Sequence, residues 1–242
     1  SKEEKLEDLI RRIKERLEEA LRRNKKTADE IRKELKKATD RNRKRAKELR
    51  ERLREVLRRT KEDKVIKELE RVLEEVLRKL ERSLEELRKL LDKILKKSEE
   101  NAKEIKDVLD RILERLRKRE EDEESMKRIL EDLKRRLEEM AERSRKKIKD
   151  LEKEIEDILR RLEELHRKIK RELEELLKRI TDETGPSEVV EELLRLLEEL
   201  LEHNREVIEK LVDLIRELLR HDKEVTEEIL RLIEELLKEV EK

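Results

Sequence analysis

The amino-acid sequence predicts an all-α protein, a long, nearly untwisted up-down-up-down four-helix bundle with helices of about 55 residues. The first observation that predicts it is a repeat of about 18 residues, clearest in EVVEELLRLLEELLEHNR, EVIEKLVDLIRELLRHDK and EVTEEILRLIEELLKEVEK after Ser187. A straight α-helix returns to the same face after about 18 residues, or roughly five turns. A strict heptad would drift by about 20° per repeat and impose a left-handed supercoil.

The second observation is the composition, which favours helices and excludes most other folds. Charged residues make up 58% of the chain, and Phe, Tyr, Trp and Cys are absent. Gly185 and Pro186 are the single glycine and proline, so regularly spaced β-turns, Gly-rich phosphate loops and nucleophile elbows are excluded. Without cysteine there is no disulfide framework and no thiolate metal site. Disorder is excluded because Leu, Ile and Val recur at helical spacing.

The repeat divides the chain into four blocks, each with its own apolar stripe, and short loops between such blocks make neighbouring helices antiparallel. In the first block, for example, Ile13, Ile31 and Leu49 occupy one slot of the repeat. We predict a single helical bundle over residues 1–242, with helices at approximately 2–59, 64–118, 124–180 and 187–241.

The three predicted loops rest on different signals. Gly185 and Pro186 mark the third loop, with Ser187 as the N-cap of the last helix. Near residues 60–63 the apolar stripe moves to nearly the opposite face, which requires a turn. At 117–125 nine residues pass without an apolar side chain. We expect a break there, and one continuous helix of about 115 residues is the alternative.

The apolar stripes are unequal in width, which leaves two interpretations open. The stripe spans about 120° on the first and third helices, about 140° on the second and about 160° on the fourth. Either the second and fourth helices form the closer diagonal pair of a rhombic bundle, or the extra row Leu196, Leu214 and Leu232 is an apolar edge that assembles a homo-oligomer.

Charge is distributed so that the first and last helices attract each other. Residues 1–60 contain 24 Lys/Arg and 14 Asp/Glu, a net charge of +10, whereas residues 187–242 contain 9 and 18, a net charge of −9. Opposite charges favour packing these two segments side by side and disfavour wrong pairings. The whole chain has a net charge of only +1, which gives no global bias toward nucleic acid or membranes.

Polar residues interrupt the apolar stripes at two heights. Folding the chain at the three loops places residues near 82, 164 and 207 around Asn42, so the first predicted layer contains Asn42, Ser83, His166, His203 and Asn204. The same construction places residues near 100, 146 and 225 around Asn24. The second predicted layer therefore contains Asn24, Thr27, Ser98, Asn101, Ser144, His221, Asp222 and Thr226.

These two layers are expected to specify the register of the helices. A buried polar group without a partner costs about 1–3 kcal/mol, so a register that separates the partners is penalised. In a core otherwise made of interchangeable Leu and Ile, two such layers about 27 Å apart would fix vertical register and helix order.

Four features of the chain belong together: the repeat, the Leu/Ile/Val stripes, the Glu/Lys/Arg surfaces, and the polar layers at Asn24, Asn42, Asn101, His166, Asn204 and Asp222. In these features the whole chain resembles de novo designed, parametrically generated helical bundles with buried hydrogen-bond networks. That resemblance implies a scaffold, an oligomer block or a switchable assembly, and no natural substrate. The chain departs from the usual pattern in having only one Gly-Pro loop.

Other functions are not expected from the residues. Neither layer brings together the three or four ligands that zinc requires, and there is no HExxH motif, so we expect no metal, haem or other cofactor. His221 beside Asp222 has no nucleophile elbow to serve, so we expect no enzyme and no small-molecule substrate. The basic run at 41–54 lacks the aromatic residues that stack on bases, and nucleic acid is not expected as a partner.

Membrane binding is not expected either, because no apolar run approaches the ~20 residues needed to cross a bilayer and no signal-peptide core is visible. We therefore expect a soluble, designed structural scaffold with no natural biochemical activity. The alternative is a designed homo-oligomer building block that assembles through the second and fourth helices. In a further alternative the histidines form a pH switch, since a buried neutral imidazole has a pKa below about 6.5 and loses stability as the pH falls.

Overall fold

The computed structural model describes residues 2–59, 63–118, 123–185 and 188–241. Its four α-helices are α1 (Lys2–Arg59), α2 (Asp63–Lys118), α3 (Glu123–Thr184) and α4 (Glu188–Glu241). No strand occurs within these described ranges. The predicted all-α class with four long helices in a bundle is therefore confirmed.

The helix ends agree with the sequence prediction to within a few residues. α2 ends at Lys118 and α3 begins at Glu123, so the structure has two helices here instead of one continuous helix. α3 continues to Thr184, beyond its predicted end at 180, and Gly185 follows in the left-handed region with φ of 75°. The Gly185 N–H donates to the carbonyl of Thr181 at 3.1 Å, which closes the last turn as a left-handed C-terminal cap. Ser187, the predicted N-cap, lies outside the described residues.

The chain packs as two compact units, and each helix contributes one segment to each unit. Unit 1 comprises Ser1–Glu30, Leu90–Glu152 and Leu214–Lys242, and unit 2 comprises Ile31–Lys89 and Lys153–Asp213. The expectation of a single bundle over residues 1–242 stays a prediction.

In unit 2 the interhelical ion pairs define which helices are neighbours. Arg50 of α1 binds Glu74 of α2 at 2.9 Å, and Arg52 of α1 binds Glu192 of α4 at 3.2 Å. Two further contacts, Arg161–Glu86 at 3.1 Å and Arg205–Glu163 at 3.7 Å, join α2 to α3 and α3 to α4. The four segments therefore form a closed ring in the order α1, α2, α3 and α4, and the contact between α4 and α1 closes it. Such exposed pairs add little stability, typically below about 1 kcal/mol, but they identify the neighbours.

In unit 1 the neighbouring segments run in opposite directions. Lys14 of α1 pairs with Asp110 of α2, while Lys106 of α2 pairs with Glu18 further along α1. α1 also lies beside α4, where the Lys2 ammonium donates to the carbonyl of Val240 at 2.9 Å. An ammonium group at the C-terminal turn of a helix is favourable because it faces the negative end of the helix dipole.

The core of unit 1 is an aliphatic cluster to which all four segments contribute. Ile13, Leu109, Leu130 and Ile233, one from each helix, are fully enclosed. Burying a side chain of this size stabilises the fold by about 1.5–3 kcal/mol, so the apolar stripes supply the main driving force.

The unequal stripes have a structural counterpart in unit 1. Ser98 of α2 donates to Asp222 of α4 at 3.4 Å, so side chains of these two helices meet across the ring. Both interpretations of the unequal stripes stay predictions. The extra row Leu196, Leu214 and Leu232 is half-buried.

Truncation of a core leucine tests how the stability depends on burial. Leu109 is fully buried, whereas Leu113, on the next turn of the same helix, is only partly buried against the same cluster. We expect Leu109→Ala to lower the free energy of unfolding by about 2–5 kcal/mol and Leu113→Ala to lower it by clearly less. Urea denaturation followed by circular dichroism measures both, and equal losses would contradict this assignment of the core.

Candidate functional site

Asn42 and Asn204 form a reciprocal amide pair in unit 2, between α1 and α4. Asn42 Nδ2 donates to Asn204 Oδ1 at 2.8 Å, and Asn204 Nδ2 donates back to Asn42 Oδ1 at 2.8 Å. Asn204 is only 1% exposed, and its second N–H binds the carbonyl of Leu200 at 2.8 Å. Both donors and the acceptor of this buried amide therefore have partners.

The other predicted members of this layer do not join the pair. Ser83 is half-buried, and its hydroxyl donates to the carbonyl of Lys79 at 3.0 Å, within its own helix. His203 is half-buried at the edge, where Arg41 lies against its ring nitrogens. His166 is half-buried and makes no hydrogen bond with a described residue. In unit 2 the described interhelical bonds of this layer thus come from α1 and α4.

Asn24 is the centre of a second cluster, in unit 1, that joins three helices. Its Nδ2 donates to Asp222 Oδ1 of α4 at 2.7 Å and to Ser98 Oγ of α2 at 3.1 Å. Ser98 Oγ lies 3.4 Å from the same Asp222 oxygen, to which it donates. Asn24 is 3% exposed, and its Oδ1 is buried without a donor among the described residues. This amide is therefore incompletely satisfied, in contrast to Asn204.

The remaining predicted members of the second layer have varied positions. Thr226 donates to the backbone carbonyl of Asp222 at 2.8 Å, so its hydroxyl serves its own helix. Asn101 and Thr27 are half-buried and have no hydrogen bond with a described residue. The side chain of Ser144 lies outside the described residues.

Asn42 and Asn24 pair with Asn204 and Asp222, the α4 residues that the two predicted layers contained. The approximate construction for vertical register is offset from these residues by three positions. The sequence construction placed positions near 207 and 225 opposite Asn42 and Asn24, but the structure places Asn204 and Asp222 there. The offset is the same in each unit. It is close to one helical turn, so the same face of α4 still meets α1.

Burial shifts the ionisation of the charged groups in and beside these clusters. Desolvation raises the pKa of the Asp222 carboxyl above its ordinary value, and the hydrogen bonds from Asn24 and Ser98 partly oppose this. Desolvation lowers the pKa of His203, and the positive charge of Arg41 lowers it further.

His221 is the histidine that the structure buries most completely. It is 8% exposed, and neither of its ring nitrogens has a hydrogen-bond partner among the described residues. Desolvation lowers the pKa of His221, and the charges of Arg23 and Arg16 on α1 lower it further. Glu224 and Glu217 on its own helix oppose this effect. The folded environment thus favours the neutral imidazole.

A cavity of about 110 Å³ opens beside the Asn24 cluster in unit 1. Three buried alanines, Ala20, Ala102 and Ala141, line it from α1, α2 and α3. The sequence analysis did not predict this cavity, because alanine is a strong helix former and is an ordinary residue in the apolar stripe of a helix. The sequence feature that could have predicted the cavity is the occurrence of these three short side chains at the same height as Asn24.

No group of three or more His, Cys, Asp and Glu side chains in the described part of the chain is arranged to hold a metal ion. The described helices also include none with the length and apolar character required to cross a membrane. Comparisons with protein-family models, with curated proteins and with solved structures found no match to this chain.

The buried imidazole of His221 predicts a pH dependence of stability. Because its folded pKa lies below the ordinary 6.5, the unfolded chain binds a proton at a higher pH than the folded chain does. This group therefore leaves stability unchanged above about pH 6.5 and lowers it as the pH falls through the folded pKa. We expect His221→Leu to lose less stability than the parent between about pH 7.5 and 4.5, measured by urea denaturation at each pH.

Asp222 is expected to contribute a pH dependence of stability that is opposite in sign to that of His221. Its raised pKa means that its stabilising contribution is present below about pH 3.8 and is lost as the pH rises through the folded value. Asp222→Asn should therefore increase the loss of stability on acidification. The same pH profile for the parent and both variants would contradict the desolvation of these two groups.

Proposed function

We propose that the chain is a designed structural scaffold without a natural biochemical activity, in which the buried polar clusters specify how α1 and α4 pair. The single observation that carries this proposal is the spacing of the interhelical hydrogen bonds. Asn24 pairs with Asp222 in unit 1, and Asn42 pairs with Asn204 in unit 2. The two partners on each helix are 18 residues apart, which is the period of the apolar repeat.

This spacing discriminates against small slides of one helix along the other. A slide of one turn moves α4 by about 5.4 Å and returns aliphatic side chains to aliphatic neighbours, so the apolar contacts alone resist it weakly. The same slide separates both hydrogen-bonded pairs. Each buried polar group left without a partner then costs about 1–3 kcal/mol, which makes the slipped register unfavourable.

A slide by one full repeat is disfavoured as well. In one direction it would bring Asn24 opposite Asn204 and so restore one pair, but Asp222 would then lie opposite Leu6. In the other direction it would bring Asn42 opposite Asp222, but Asn24 would then lie opposite Val240. Either slide therefore places a desolvated polar side chain against an aliphatic one, which is unfavourable.

Distances between paired spin labels test the register proposal directly, since the chain has no native cysteine. Exposed positions suitable for labels are Glu15 with Glu217 in unit 1 and Lys44 with Glu191 in unit 2. In the parent, each pair should give one narrow distance distribution. An apolar variant should add a population displaced by about 5 Å, because an apolar core permits neighbouring registers. That variant carries Asn24→Leu, Asn42→Leu, Ser98→Ala, Asn204→Leu and Asp222→Leu.

The matched control removes hydroxyl groups that do not cross between helices. Thr39 donates to Leu35 at 2.9 Å and Ser83 donates to Lys79, each within its own helix. Thr39→Val with Ser83→Ala should therefore leave the distances unchanged. The apolar variant is expected to fold, because replacing both partners of a buried pair with apolar groups is often neutral or stabilising. Identical distributions in the parent and the apolar variant would refute the register role.

A second candidate function is a homo-oligomer that assembles through α2 and α4. The observation that favours it is the half-buried row Leu196, Leu214 and Leu232, which retains exposed apolar surface on α4. Light scattering after size exclusion distinguishes the two functions. The scaffold proposal predicts one species near 29.8 kDa, the mass of one chain, whereas the assembly predicts an integer multiple that Leu214→Glu with Leu232→Glu should dissociate.

A further inference from the structure

We propose that the cavity in unit 1 is a binding site for a small uncharged molecule that has one aromatic ring and one O–H or N–H donor, such as phenol. The cavity is lined from all four helix segments of this unit. It is distinct from the register function, because the bonds that join Asn24 to Asp222 and Ser98 are already made without any ligand.

The size of the cavity limits the ligand to about one ring. Its volume is about 110 Å³, and an enclosed apolar cavity of about 150 Å³ is known to accommodate benzene. The space exists because Ala20, Ala102 and Ala141 replace the longer aliphatic residues that fill the rest of this core. Exposed residues such as Lys93 and Arg145 also line it, so one side communicates with solvent.

The polar end of the cavity contains a buried acceptor that lacks a donor. Asp222 and Asn101 both line it, and only one of the two Asp222 carboxyl oxygens receives hydrogen bonds from described residues. The neighbouring Asn24 Oδ1 also lacks a donor in the described part of the chain. The N–H groups of Asn24 and the hydroxyl of Ser98 already donate within the cluster, so neither is free for this oxygen. A ligand O–H or N–H therefore supplies what this end lacks.

Charge around the cavity selects an uncharged ligand. Its lining includes five cationic side chains, Lys93, Lys97, Arg145, Lys147 and Lys223. Arg145 pairs at 3.9 Å with the carboxylate of Glu227, which also lines the cavity, and the other four have no carboxylate partner among the described residues. These cations disfavour the approach of a cationic ligand, while the Asp222 carboxyl group at the polar end disfavours an anionic one.

Nuclear magnetic resonance offers a direct test on the unaltered chain. Because Phe, Tyr and Trp are absent, the three histidines carry the only carbon-bound aromatic protons of the chain, and ligand ring protons are readily assigned in deuterated water. Phenol should give nuclear Overhauser contacts to the methyl groups of Ala20, Ala102 and Ala141, with a Kd of about 1 mM. Toluene, which has the same shape without the donor, should bind at least about tenfold more weakly.

A filled cavity provides the second measurement. Ala102→Leu places a larger side chain into the space and should abolish phenol binding. Ala46→Leu is the matched control, because Ala46 is similarly buried at 6% exposure but lies in unit 2, away from the cavity. That control variant should bind phenol as the parent does. If Ala102→Leu does not fold, the alanine contacts in the parent still decide the location of the ligand.

Three results would overturn the proposal. The absence of contacts at about 10 mM phenol would mean that the cavity holds only water, for which it has room. Toluene binding as tightly as phenol would mean that the polar end does not contribute. Contacts only to methyl groups that do not line the cavity, or binding retained by Ala102→Leu, would place the ligand elsewhere.

Discussion

The described core depends on one constraint, which is that a polar group taken out of water must find a partner. Leu, Ile and Val drive the helices together, but their contacts are non-directional and hardly distinguish one register from the next. In the proposed register role the amide of Asn204 distinguishes them, because its two N–H groups and its oxygen are all engaged at 2.8 Å. A bond of this kind has a single geometry, so it defines positions that aliphatic packing leaves equivalent.

The two polar clusters solve the same problem to different degrees. Two asparagines are complementary, since each presents one donor and one acceptor to the other. Asn24 instead donates through its Nδ2 to a carboxyl group and to a hydroxyl group. Its oxygen is left over, and the alanines nearby leave space beside the cluster. The cluster in unit 1 is consequently the place where polarity and free volume coincide, which suits a site for another molecule.

Much of the architecture follows from the sequence, because period and composition act locally along each helix. The four helices, their antiparallel order and the pairing of α1 with α4 were all accessible in this way. Asp222 was predicted in the layer of Asn24, but the construction itself pointed to a position three residues away, because vertical register depends on loop geometry that residue spacing does not encode. Ser98 bonds Asn24 and Asn101 does not, since a small rotation about the helix axis decides which side chain faces inward. The burial of His221 at the stripe edge depends on the same rotation. The cavity required knowing that alanines on three helices meet at one height.

The hydrogen bond from Lys2 to the Val240 carbonyl has a topological consequence. It places the first turn of α1 beside the last turn of α4, so the segments at the two extremes of the described chain are spatial neighbours. A short peptide joining them would leave both helices intact, and new ends could then be opened between two other helices. The order in which the four helices are synthesised is thus separable from the order in which they pack. Circularly permuted forms of the chain should preserve the same interhelical hydrogen bonds.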